Sequence, residues 1–409
     1  MAGTFAERLV SAIASTHAVI DLDAYASNVQ VMRNRLRKRG SELMMAVVKA
    51  NAYGHGAVMC ARTAVDAGAD WLGVARIEEA LLLRDHGITA PILVLGPLNP
   101  TLVTRAAQND ITVTIGSPDT LDRIQPFLAQ IPDDMMLDVH LKIDSGMHRF
   151  GVHPHEASDV ARDLQEEPKL RYSGLYTHFA TADDGDDSFL NEQISRFTET
   201  VMELMPEGLA PSLIHVSNSA ASIREAQLPD VLSPFTIMYR PGLALYGMSP
   251  SGDVPIPNEF HRVLTLKTRL GRVFRLEKGE GVSYGLTHVA KHPTICGTVP
   301  IGYGDGLDRH LSNRGWMSVK GRRCPIIGRV CMDQVVIDIN NVSQPEEGDE
   351  VIVIGDGRSN TMTPEDAAAK IGTINYEVTT AILPRVPRIY MSYEDVVAVE
   401  DLNGLVEKP

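Results

Sequence analysis

Cysteine is scarce in this chain of 409 residues: Cys60, Cys296, Cys324 and Cys331 are the whole supply, and no two form a CxxC pair. That spacing excludes a zinc ribbon or a disulfide-stapled scaffold and fits reduced thiols. Positive charge is in deficit as well, 38 Lys and Arg against 52 Asp and Glu, for a formal net charge of -14. An acidic surface does not attract a phosphate backbone or an anionic membrane, although a local basic pocket still binds small anions. No run approaches the roughly 18 apolar residues of a membrane span. Residues 1–20 place Glu7, Arg8 and His17 where an export signal needs an apolar stretch. A cytoplasmic protein with neither nucleic acid nor membrane as partner is therefore expected. The first strand carries no His-x-His pair, which disfavours a metal-dependent barrel hydrolase; no metal is expected. The acidic run Asp183–Asp187 reads as a solvated loop, and the pair His153 and His155 as surface.

With 44% hydrophobic residues, the chain is long enough to bury two cores. From about Leu43 to Tyr246, eight β-rich runs alternate with helical patterns: Met44–Val48, Trp71–Ala75, Ile92–Leu95, Ile111–Ile115, Leu137–Ile143, Tyr172–His178, Leu213–Ser217 and Met238–Tyr246. Between them, stretches such as Ile77–His86 and Ser188–Met205 space apolar residues by three and four, as surface helices do. Eight β/α units predict an α/β fold, a (β/α)8 TIM-type barrel over residues 1–250, with the first fifteen or so residues free to pack elsewhere. The Pro-rich stretch Ser251–Pro257 then connects to a second domain, 258–409, of short β-type runs: Val263–Phe274, Thr294–Pro300, Trp316–Val319, Arg322–Ile327, Gln334–Ile339 and Val351–Ile354. It should be mostly antiparallel β, interrupted by one helix around Pro364–Lys370.

The richest segment is Ala46-Val-Val-Lys49-Ala-Asn-Ala-Tyr53-Gly54-His-Gly56, an apolar run that ends in a lysine and turns into a glycine-flanked loop. An amine at the C-terminal mouth of a buried strand is partly desolvated, which lowers its pKa and frees it to form a Schiff base with a carbonyl. Taken alone, Lys49 could equally solvate a strand end. Tyr53 lies close by in a loop whose backbone N–H groups suit a phosphate oxygen. Pyridoxal 5′-phosphate offers both a carbonyl and a phosphate. Lys49, Arg149, His178, Ser219 and Arg240 all fall at or just beyond predicted strand ends, the end at which a barrel builds its site.

The lysine segment resembles the cofactor-lysine motif of alanine racemases, and further matches follow in order: His140-Leu-Lys-Ile-Asp-Ser-Gly-Met-His-Arg149, Tyr176-Thr-His178, Arg240-Pro-Gly-Leu-Ala-Leu-Tyr246, Val282-Ser-Tyr284-Gly285, Ile301-Gly-Tyr303-Gly-Asp-Gly306, Gly328-Arg-Val-Cys-Met-Asp-Gln334 and Thr373-Ile-Asn-Tyr376-Glu377. The resemblance implies a two-base racemase of L- and D-alanine that uses pyridoxal 5′-phosphate and supplies D-alanine for peptidoglycan. It also implies a homodimer with shared active sites.

Residue by residue, the resemblance implies Lys49 and Tyr284 as the two acid/base groups, Tyr284 acting from the second domain of the other subunit. By itself Tyr284 reads as an ordinary strand tyrosine. A phenol with a pKa near ~10 is a poor base unless lowered, so a cationic hydrogen-bond partner is expected, a part that suits His178 backed by Arg240. Arg240 cannot accept a proton, so a ring nitrogen facing it stays neutral and reprotonation is favoured over transamination. Tyr53, His178, Asn218, Ser219, Gly242, Leu243 and Tyr376 match cofactor-binding positions, and Asn218-Ser219 opens a helix whose dipole favours a phosphate. Arg149 matches the substrate-carboxylate clamp, Lys142 the lysine often carbamylated beside it, Met332 and Asp333 second-subunit substrate contacts, and Tyr303 with Tyr376 the constriction that favours small side chains. Asp183, Arg309, Arg329 and Ile374 match the access corridor.

Two departures from the family pattern bear on fine pocket geometry: His148 ahead of Arg149, where glycine is common, and Ala57 after the His55-Gly56 pair. A serine or broad-specificity racemase is the nearest alternative, and a non-catalytic cofactor-homeostasis protein the alternative of a different class. The latter is barrel-only, whereas this chain continues beyond its barrel with Tyr284. A decarboxylase of the same fold type would place an acid where Arg240 stands.

Overall fold

The computed structural model describes residues 3–14, 16–37 and 42–409. They divide into two units, one of residues 26–52 and 57–260, the other of residues up to 25, 53–56 and 261–409.

The first unit is a closed parallel barrel of eight strands in sequence order: Leu43–Val47, Trp71–Val74, Ile92–Val94, Ile111–Ile115, Leu137–Lys142, Leu170–Tyr176, Leu213–His215 and Thr236–Tyr239. The last strand pairs with the first through Leu43↔Met238 and Met44↔Tyr239, so no edge is left open. Strand composition follows from burial on both faces. Ile111–Ile115 is buried at every position, and Met45, Leu93 and Met238 fill the barrel interior, with Trp71, Leu95 and Leu213 packed against them. The intervening helices bury one stripe each, as in Ala157–Glu166, where Ala157, Val160, Ala161 and Leu164 face inward.

The sequence reading overran at the eighth strand. It expected Met238–Tyr246, but the strand stops at Tyr239 and Leu243–Tyr246 is a 3-10 turn. Pro241 has no N–H for a ladder, and Gly242 leaves the β region.

The second unit holds an eleven-stranded sheet, antiparallel except where His17–Asp21 runs parallel to Arg388–Ser392, and a two-stranded ribbon of Gly281–Val282 with His288–Val289. His17–Asp21 also pairs with Leu264–Arg269, and helix Phe5–Ile13 packs Ala12 against Ile389 and Val399. The expectation put residues 1–250 in the barrel and left only the first fifteen or so free to pack elsewhere; by contacts, the described residues up to 25 group with residues 261–409. Two further readings need correction. Val263–Phe274 is two strands, Leu264–Arg269 and Arg272–Leu276. The single helix expected near Pro364–Lys370 is two, Pro364–Ile371 and Asn375–Thr380. Gly372, left-handed at φ 80°, ends the first. The second is tied back by Asn375, which donates to Glu365 at 2.8 Å, while Arg262 pairs with the same carboxylate.

Arg388 pins the Gly54 turn in this unit. It is buried and donates to the carbonyls of Gly54, Ile382, Leu383 and Val386. Gly54 has φ 87°, and a Cβ there would lie 2.0 Å from the Thr379 carbonyl oxygen. Among the described residues no helix is long and apolar enough to cross a membrane.

Gly54→Ala should therefore cost roughly 2–4 kcal/mol, summing left-handed strain and a backbone clash. Gly68→Ala, at φ 106° but with nothing within 4 Å of the new carbon, should cost about 1 kcal/mol. Urea denaturation of both variants checks this; equal losses would contradict the packing argument.

Candidate active site

Lys49 stands just past the first barrel strand, on an unusual piece of backbone. Ala50, Asn51, Ala52 and Tyr53 all have φ between 52° and 54°, a left-handed turn built without glycine. At ~1–2 kcal/mol per residue such a turn costs roughly 4–8 kcal/mol, so it needs clamps. Glu79 accepts from the Ala50 N–H at 2.6 Å with one carboxylate oxygen and from the Ala75 and Arg76 N–H groups with the other. Asn51 Oδ1 accepts from Ala57 N–H at 2.7 Å. These clamps fix where the lysine leaves the backbone. Glu79 and Asn51 escaped the sequence reading, although Glu79 sits where a capping acid follows the second strand.

Around Lys49 the barrel gathers cations. Its pKa is lowered by desolvation and by Arg149, with Arg240 adding to them and Glu79 opposing. Lys142, the last residue of the fifth strand, is buried, with Nζ 5.2 Å from the Phe150 ring centre and 5.8 Å from that of Tyr176. Desolvation, then Arg149 and Arg240, push it down to about 8. Arg149 lies exposed at the end of a turn that Asp144 organises by accepting from the N–H groups of Gly146 and His148, both at 3.0 Å. His148 takes φ 53° there, which explains why glycine is common at that position; its ring lies 3.4 Å from the Asp144 carboxylate.

Arg240, just after the eighth strand, is 4% exposed. It donates to the Thr177 carbonyl at 2.7 Å, to His178 Nδ1 at 3.2 Å and to His215 Nδ1 at 3.1 Å. Its guanidinium lies 5.1 Å from the Tyr176 ring centre. This corrects the expectation for His178. Burial and Arg240 hold its pKa well below the ordinary 6.5, and its Nδ1 must accept from a guanidinium that only donates. His178 is thus a neutral ring with its proton on Nε2, a donor but not a cation. His215, absent from the sequence reading, stacks on Tyr176 at 4.3 Å and continues the network.

Beyond the seventh strand, Asn218 caps the turn Ser219–Ile223. Ser219 Oγ accepts from the backbone N–H groups of Gly242 at 2.9 Å and Ala244 at 3.2 Å. Gly242 precedes the 3-10 turn that begins at Leu243, so two backbone donors of this turn converge on the Ser219 hydroxyl oxygen. Asp183 lies exposed on the loop before helix Ser188–Leu204.

The remaining expected residues belong to the second unit. Tyr53 and Tyr376 meet edge to face at 6.4 Å, and desolvation, aided by Tyr376, raises the Tyr53 pKa. Tyr303 N–H donates to the Cys331 carbonyl, and Gly304 N–H to that of Met332. Arg385 bridges Asp305 and Asp333, both at 2.7 Å. Ser283 Oγ donates to the Arg329 carbonyl at 2.8 Å, anchoring the loop that carries Tyr284. Tyr284 opens a 3-10 turn instead of lying in a strand, and is 75% exposed, with Tyr303, Met332 and Ile374 also exposed. Arg309 starts a 3-10 turn, and Ile374 caps the helix that carries Tyr376.

A desolvated lysine with a lowered pKa, two further buried cations and the Ser219 hydroxyl, whose oxygen accepts from two backbone N–H groups and whose proton is left to donate, make a donor set that fits a phosphorylated aldehyde such as pyridoxal 5′-phosphate. Comparison with known proteins agrees. Residues 20–250 match the family model of the alanine racemase N-terminal domain and residues 263–390 that of its C-terminal domain. The alanine racemase of Geobacillus stearothermophilus is 40% identical over 392 residues, covering 95% of this chain and 97% of that protein. That of Desulfovibrio desulfuricans is 37% identical over 376 residues, 91% and 97% of the two chains. The crystal structure of the Bacillus anthracis alanine racemase with bound L-Ala-P superposes with a TM-score of 0.87 at 36% identity, covering 95% and 97%. The Streptomyces coelicolor enzyme gives 0.84 at 36%, covering 94% and 100%.

The depressed Lys142 has a measurable consequence. The unfolded chain holds this proton up to about 10.5 and the folded one releases it near 8, so between these values the unfolded state binds more protons and stability rises with pH. Urea denaturation of ligand-free protein in bicarbonate-free buffer should show the rise. Lys142→Met should remove about 3 kcal/mol of pH dependence across that window. An identical pH dependence in the variant would contradict the burial argument.

Proposed function

The chain belongs to the alanine racemase family, and from that premise we propose how its own residues divide the work of interconverting L-alanine and D-alanine. It is an isomerase that depends on pyridoxal 5′-phosphate. The observation that carries the assignment of roles is Lys49, desolvated and depressed by Arg149 and Arg240 at the mouth of a closed barrel. When bound, the cofactor supplies an electron sink that makes the Cα proton of an amino acid removable.

Racemisation requires a proton to leave one face of Cα and return to the other, so two groups must work from opposite sides. Lys49 serves one side. Tyr284 of the partner subunit serves the other, with His178 offering it an Nε2–H from a neutral ring. Arg149 clamps the substrate carboxylate in a bidentate fork; Lys142, whose depressed pKa leaves it partly neutral and open to carbamylation near pH 8, orients Arg149 through the anion that carbamylation adds.

Tyr53, Asn218, Ser219, Gly242, Leu243 and Tyr376 hold the cofactor phosphate, and Arg240 holds the ring nitrogen as a donor that takes no proton. Met332 and Asp333 of the partner subunit contact the substrate, and Tyr303 with Tyr376 form the constriction that favours small side chains, and so alanine over serine or larger amino acids. Asp183, Arg309, Arg329 and Ile374 line the way in. The exposure of Tyr284, Leu286, Val289 and Met332 on one unit supports a homodimer whose subunits complete each other's sites. The enzyme works in the cytoplasm and supplies D-alanine for the cell wall.

Mixing Lys49→Ala subunits with Tyr284→Ala subunits tests the sharing. Each variant alone should be nearly inactive. Random exchange makes half the dimers mixed, each with one intact site of two, so activity should recover to roughly a quarter of wild type. Absence of recovery despite demonstrated exchange would place both groups in one chain or leave Tyr284 a packing residue.

A further inference from the structure

Behind Arg240 lies a second histidine that the division of roles above does not use. His140, on the fifth barrel strand, is fully buried, and its Nδ1 is 2.9 Å from His215 Nε2. His215, equally buried, faces Arg240 Nη1 with Nδ1 at 3.1 Å. The two rings lie 5.0 Å apart between centres. Gly174 on the neighbouring strand leaves room for the arrangement, since a Cβ there would lie 2.6 Å from the His140 ring.

Proton positions along this row follow from donor counting. A guanidinium has five N–H donors and no acceptor, so His215 Nδ1 must be the acceptor, and a cationic His215 would oppose donor to donor. The single proton of His215 is therefore on Nε2, which donates to His140 Nδ1. His140 must in turn keep its proton on Nε2. That nitrogen is buried and has no hydrogen-bond partner among the described residues. A buried N–H without a partner is a cost that an apolar residue would avoid. Its retention makes sense if the acceptor at the other end of the ring matters.

We propose that His140 is a positioning residue: it accepts from His215, fixes the tautomer in which His215 accepts from Arg240, and thereby holds the guanidinium as a pure donor toward the site. The inference rests on the role given to Arg240 above. Desolvation agrees with it, holding both imidazoles neutral, His140 at about 3 and His215 well below 6.5.

The test compares His140→Leu, which removes the acceptor, with His140→Asn, whose Oδ1 stands near the lost Nδ1, and His140→Gln, whose acceptor reaches past it. Nitrogen-15 spectra of histidine-labelled protein, with and without pyridoxal 5′-phosphate, report the tautomers; 13 histidines are few enough to assign by single variants. In wild type, His140 and His215 should both carry the proton on Nε2 and should not titrate between pH 5 and 9.

His140→Leu should mix the His215 tautomers, lower kcat on the order of tenfold with KM little changed, and raise the fraction of turnovers that end in pyruvate. His140→Asn should restore the wild-type His215 signal and most of kcat; if the leucine variant does not fold, the Asn and Gln variants carry the same comparison. A wild-type His215 protonated on Nδ1, or a His215 signal and product ratio indifferent to all three substitutions, would overturn the proposal. Because the spectra need no turnover, a failure here is distinguishable from a failure of the racemase assignment, which the wild-type rate alone decides.

Discussion

Lys49, Lys142 and Arg240 are held largely out of water within one barrel mouth, with Arg149 close enough to depress both lysines. This happens in a chain whose formal charge is -14. Desolvating one ammonium is costly, and gathering several compounds the cost, which Glu79 beside Lys49 and Asp144 beside Lys142 only partly offset. Two responses are visible. The lysines lower their pKa values, and Arg240 spreads its charge over a carbonyl, two neutral imidazoles and the face of Tyr176. The remaining imbalance is what an anionic ligand relieves, and it makes a dianionic phosphate with a reactive carbonyl the natural occupant.

Geometry and charge are coupled through backbone strain. The left-handed turn from Ala50 to Tyr53 is an expensive way to leave a strand. It aims Lys49 while Glu79 and Asn51 absorb the cost with three backbone N–H bonds on one carboxylate and one on an amide oxygen. Arg388 does a related task for the Gly54 carbonyl. The chain thus builds its reactive amine on a segment that folds this way only because distant residues insist on it. That is the pattern expected where function and local preference disagree.

What could be read from the sequence follows the same division. Eight strands alternating with helices were legible because burial on both faces leaves continuous apolar runs, and Lys49 was legible because it ends one of them. The strand His17–Asp21 was not assigned, since its partners lie some 250 and 370 residues away, and no local pattern names a partner. The eighth strand was overrun because Leu243–Tyr246 is apolar enough for a strand yet coils after Pro241. The left-handed turn contains no glycine before Gly54, so nothing in it advertised positive φ. Sequence alone offers His178 as the cationic partner that a tyrosine base needs; only the contact with Arg240 shows that this neighbour donates to the ring and keeps it neutral. His215 and His140 were invisible for a simpler reason, that they meet across the barrel, 75 residues apart.

The central claim is that Lys49 is the amine that carries the cofactor. Borohydride reduction of the purified yellow protein, followed by digestion and mass mapping of every lysine-containing peptide, addresses it directly. The account predicts one reduced cofactor per chain, on the peptide containing Lys49, with loss of colour and of racemisation in step. Labelling of Lys142 or any other lysine in its place, or a protein that racemises alanine while no lysine is labelled, would contradict it.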